Sequence, residues 1–83
     1  MALHIKTLQA AHEGARLYAT LYLDRQDGQL KVLARITRCQ DRGREALLGV
    51  AEVNKAGELH HLPADLTPQE RDLLEAALAE ALG

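Results

Sequence analysis

The side chains with the most chemical potential in this chain are four histidines, one cysteine and a run of arginines. His60 and His61 stand side by side in "GELHHLPADLTPQE"; His4 and His12 are the other two imidazoles. Imidazole is a common metal ligand and proton carrier. Neighbouring residues of a strand point to opposite faces, so His60 and His61 cannot both reach one ion if that segment is a regular strand. A helical zinc pair needs His-x-x-x-His, and this spacing does not occur here. Cys39 is the only thiol, which excludes an intrachain disulfide and a cysteine-based zinc site. As a nucleophile it would need a base held beside it, and no motif in the chain supplies one. The expectation is no metal, no cofactor and no catalytic residue. One histidine belongs on a polar strand face near Glu52, and Cys39 behaves as an inert, half-buried residue near a strand end.

Arg35, Arg38, Arg42 and Arg44 crowd into "RITRCQDRGR". Forked guanidinium donors suit phosphates and carboxylates, and a nucleic-acid footprint would have this form. Asp41 and Glu45 lie within or beside the stretch, the formal charge is −2, and Phe and Trp for base stacking are lacking. Internal salt bridges or solvation are the simpler roles. Charge layout agrees: residues 1–44 carry eight Lys/Arg against four Asp/Glu, a balance of +4, and residues 45–83 carry two against eight, a balance of −6. Halves of opposite sign attract each other within one fold.

These groups must be positioned by elements that the pattern discloses. "ARLYATLYLDRQDGQLKVLARITRC" alternates on both arms of Asp27-Gly28, a preferred type I′ turn pair. Pairing through that turn sets Leu23 against Val32, Leu21 against Ala34 and Ala19 against Ile36 on one face. Asp24 against Lys31, Tyr22 against Leu33, Thr20 against Arg35 and Tyr18 against Thr37 occupy the other. A second hairpin follows in "EALLGVAEVNKAGELHHLP", turning at "NKAGE" through a type I turn and a G1 bulge at Gly57, with Val53 facing Leu59 and Glu52 facing His60. "LHIKTLQAA" reads as a further strand, with "HEG" as its turn and a short helix as the alternative. Thr67, Pro68 and Glu70 form a capping box with proline at the first helical position. The helix after them carries Leu73, Leu74, Ala77, Leu78, Ala81 and Leu82 on one stripe, away from Asp72, Glu75 and Glu80.

The expected architecture is a single small α+β domain over residues 1–83, an antiparallel meander of four to five strands with one C-terminal helix packed on one face. A helix of about 16 residues is roughly 24 Å long and 10 Å wide, enough to cover two or three strands. It suits the face of Leu17, Ala19, Leu21, Leu23, Val32, Ala34 and Ile36. Tyr18, Tyr22 and Leu33 remain on the other, with Leu47 or Val53 as further members, and an uncovered apolar patch marks an interface. The expected function is therefore a small non-catalytic protein-interaction module, self-associating through this sheet face or a sheet edge. The alternatives are nucleic-acid binding through Arg35, Arg38, Arg42 and Arg44, or a small inhibitor or accessory factor from a mobile element. "MALHIKTLQ" lacks a signal-peptide apolar run, and no segment approaches the ~20 apolar residues that span a bilayer. With an unpaired cysteine, the expected setting is the cytoplasm.

Overall fold

The computed structural model describes residues 3–12, 14–40 and 43–82. Five antiparallel strands lie in sequence order in one sheet: β1 (Leu3–His12), β2 (Ala15–Gln26), β3 (Gln29–Cys39), β4 (Glu45–Val53) and β5 (Leu59–His60). One helix, α1 (Pro68–Leu82), follows. This is the α+β meander expected from the alternation, with the first segment a strand and not a helix.

Local chemistry explains the joints. Asp27 and Gly28 have φ of 51° and 78°, the two positive values a type I′ turn requires. The β2–β3 register then runs from Arg16 opposite Cys39 to Gln26 opposite Gln29 without a break. In the second hairpin the Asn54 side-chain oxygen accepts from the backbone amides of Ala56 and Glu58, at 3.0 and 2.9 Å, while the Asn54 backbone amide donates to the Glu58 carbonyl at 3.0 Å. An asparagine that mimics backbone in this way fixes the turn. Val53 faces Leu59 and Glu52 faces His60. At the helix start the Glu70 amide donates to Thr67 Oγ at 3.1 Å, and the Thr67 amide donates to Glu70 Oε1 at 3.0 Å, the reciprocal pair of a capping box.

The helix fills the hollow of a curled sheet. It packs on β1, while at the opposite edge the Leu59 amide of β5 donates to Glu75 Oε2 at 2.9 Å. Both sheet edges thus reach the same helix, and a strand too short to pair further has its free amide satisfied. Leu74 and Leu78 are buried against Leu8, Leu17, Ala19 and Ile36; Leu73, Ala77 and Ala81 pack partly. The side chain of Leu82 lies outside the described residues. Leu21 and Ala34 are buried as expected, and Leu23 and Val32 are part-buried on the same face. The expected attraction between halves takes the form of Arg38–Glu70 and Lys31–Glu52 ion pairs.

Among the described residues two bulges break the alternation, one between His4 and Lys6 and one opposite Ile36–Thr37, where β4 carries an extra residue. The second sits beside Gly49, with φ of 146°, where Pro63 closes on the backbone: an added Cβ would lie 3.0 and 3.1 Å from Pro63 Cγ and Cβ. Gly49→Ala should therefore combine backbone strain with a clash. The expected loss is about 2 kcal/mol, a fall of ~10 °C in thermal midpoint, readable by circular dichroism.

Candidate functional site

The sheet face turned away from the helix is laid out in rows by the strand register. Gln9, Tyr18, Thr37 and Leu47 form one row; Thr7, Thr20, Arg35 and Val50 the next; His4, Tyr22, Leu33, Glu52 and His60 a third. Beyond the third row, Asp24 faces Lys31. Tyr18, Tyr22 and Leu33 do share this face. The tyrosines are half-buried, whereas Leu33 is only 6% exposed within a single chain. Tyr22, Gln26, Val50, Glu52 and His61 surround it in a cleft of about 340 Å³. Leu33 thus supports the patch from beneath and offers little surface of its own.

In these rows the exposed large apolar groups are Leu47, 64% exposed, and Val50, 42% exposed; Leu3, Ile5 and Leu30 are exposed outside them. Leu47 and Val50 sit three residues apart yet share a face, because the extra residue in β4 resets the alternation. Strict period-two reading cannot bring them together. Glycine inside a strand pattern at position 49 is the sequence signal that could have flagged the bulge. Val53 does not join them. It pairs with Val32 on the helix side and is 8% exposed, because no bulge separates it from Ala51, which also faces the core.

The arginine stretch does not converge. Arg38 turns to the helix side, where its Nε and Nη2 donate to Glu70 at 2.8 and 2.7 Å and Nη2 also donates to the Asp65 carbonyl at 3.0 Å. Arg35 lies exposed on the outer face, and Arg44 is exposed in the loop before β4. Arg42 lies outside the described residues. Arg35 and Arg38 therefore face opposite sides of β3, and one of them is already neutralised. The bidentate contact holds the Glu70 carboxyl below its ordinary range and the Arg38 guanidinium above its own, in each case chiefly through the hydrogen bonds between them.

The histidines are similarly dispersed. His60 Nε2 lies 2.8 Å from the side-chain Nδ2 of Asn54, at the turn. The strand ends there: His61 has φ of 56°, and its Nε2 comes within 3.8 Å of Glu52 Oε2. The premise of a regular strand thus fails at His61, since the left-handed residue swings its ring back toward the outer face. His4 Nε2 lies 3.2 Å from Thr7 Oγ on β1. The side chain of His12 lies outside the described residues. Among the described residues no group of three His, Cys, Asp or Glu side chains is placed to hold a metal ion. Cys39 is half-buried at the end of β3, with Sγ 3.8 Å from the Gln40 carbonyl. Among the described residues no helix is long and apolar enough to cross a membrane.

No family model, curated protein or solved structure matches the chain.

Proposed function

We propose that the protein is a small non-catalytic interaction module that self-associates through the outer face of its sheet. The observation that carries this reading is the exposure of Leu47 and Val50 beside half-buried Tyr18 and Tyr22, on the face that the helix leaves open. Exposed apolar groups clustered on one face mark interaction surfaces. Tyrosine and arginine, here with Arg35 among them, are the residues enriched at such contacts. Closed two-fold pairing is the commonest way for a single chain to cover a patch of its own. The proposed setting is the cytoplasm, where the part-exposed thiol of Cys39 stays reduced. The divergence of Arg35 and Arg38 counts against the nucleic-acid alternative.

Light scattering tests the reading. At micromolar concentration the wild type should have twice the 9.1 kDa chain mass. Tyr22→Glu combined with Leu47→Asp should give a folded monomer, because both changes lie on the outer face and Leu47 is largely in water. Leu33→Lys is unsuitable for this purpose, since it would bury a charge within one chain. A wild-type monomer would remove the proposal.

A further inference from the structure

The charges on the outer face discriminate among the ways in which two copies could meet. A two-fold axis running along β3 would set Arg35 on Arg35 and Lys31 on Lys31 of the second copy. One along β2 would set Asp24 on Asp24 and Arg16 on Arg16. One crossing the strands through the row of Thr20 and Arg35 again opposes Arg35 with itself. Like charges in direct apposition are costly at an interface.

An axis parallel to the strands and midway between β2 and β3 behaves differently. It lays β2 of one copy over β3 of the other and β1 over β4. Asp24 then meets Lys31, Tyr22 meets the surface above Leu33, and Thr20 meets Arg35. One strand further out, Glu52 meets His4 and Leu47 meets Gln9. One opposite-sign pair arises, Asp24 with Lys31, and no like-sign residues are set directly over each other. Shape agrees: the curl of the sheet around α1 makes the outer face convex, so its middle strands touch a partner first. Four strands by eight residues give a patch of roughly 19 Å by 27 Å, about 500 Å² in plan. This lies below the ~800 Å² per partner of a standard interface and fits a weaker, concentration-dependent pairing.

We propose, resting on the self-association above, that the two copies pair about this axis, with Asp24 of each chain against Lys31 of the other. The contact is isologous, so the pair occurs twice. It adds to the cross-strand neighbourhood of Asp24 and Lys31 within each chain and to the Lys31–Glu52 contact of 3.6 Å.

Mixing two single variants separates the interchain pair from the intrachain one. Asp24→Lys and Lys31→Asp each place like charges across the interface in their own homodimers, and each should weaken self-association at least tenfold. In an equimolar mixture, Lys at position 24 of one chain meets Asp at position 31 of the other, and native Asp24 meets native Lys31. Heterodimers should then exceed the statistical half of all dimers in native mass spectrometry, with affinity close to wild type. The repulsion inside each chain persists on mixing, so rescue reports only the contact between chains. Asp24→Asn and Lys31→Gln should weaken pairing mildly with no preference for heterodimer, a second comparison that tolerates any loss of stability in the charge-reversed chains. A wild-type dimer whose charge-reversed variants show neither weakened pairing nor heterodimer excess would overturn the axis and leave self-association standing. A monomeric wild type would overturn both.

Discussion

Leu78→Asp should abolish the cooperative folding transition. Leu78 is 0% exposed and Leu74 1%, and both lie in the hollow between the helix and the curled sheet. Removing a buried leucine side chain costs about 2–5 kcal/mol through lost transfer energy and the cavity left behind. An aspartate adds the penalty of placing a carboxyl among apolar side chains. An 83-residue domain has a total stability of only about 4–12 kcal/mol at typical values per residue. Leu78→Ala should retain a transition at lower temperature, and Leu78→Asp should show none by near-ultraviolet circular dichroism or calorimetry. The same change at Leu47, 64% exposed, should shift monomer stability by no more than about 0.5 kcal/mol. If Leu78→Asp melts like the wild type, the helix is not part of the core.

That contrast between two leucines shows what a sequence can disclose. Leu78 belongs to a helical stripe whose period and capping box are local features. Thr67 and Glu70 are three residues apart, Asp27 and Gly28 adjacent, and the turn at Asn54–Gly57 is closed by its own backbone. Interactions of this range follow from residue type, so the hairpin registers and the helix start were legible. Leu47 depends on the extra residue in β4, which changes the face of everything before it. Leu33 depends on how far the sheet curls and on His61 taking a left-handed conformation, neither of which is encoded by alternation. The Glu75 contact with the Leu59 amide spans 16 residues and the Arg38 contact with Glu70 spans 32. Charge asymmetry announced attraction between the halves without saying which residues would meet.

The Arg38–Glu70 contact leads to the second large expected effect. Glu70 closes the capping box and takes two hydrogen bonds from Arg38, so one carboxylate ties the helix start to β3. Its side chain is 12% exposed and that of Arg38 29%, so water can replace part of what Arg38 loses but little of what Glu70 loses. A cap contributes about 1 kcal/mol, and hydrogen bonds to a charged group about 1.5–3 kcal/mol. Glu70→Ala should therefore cost about 2–3 kcal/mol, a fall of roughly 10–20 °C in a domain of this size. Glu70→Gln keeps an acceptor for the Thr67 amide and should cost less. Arg38→Ala and Glu70→Ala together should cost less than the sum of the two, since each alone strands the other group. The pH dependence has a definite sign. Arg38 lowers the Glu70 carboxyl in the folded chain from its ordinary value of 4.5. The unfolded chain therefore takes up this proton first on acidification, and the stabilisation is complete above pH 4.5 and lost as pH falls through the depressed folded value. Glutamine at this position has no proton to exchange. The stability gap between wild type and Glu70→Gln should thus be widest near neutral pH and narrow below pH 4.5, as followed by urea unfolding across that range. A gap that stays constant to pH 3 would show that the carboxylate charge does not anchor the helix to β3.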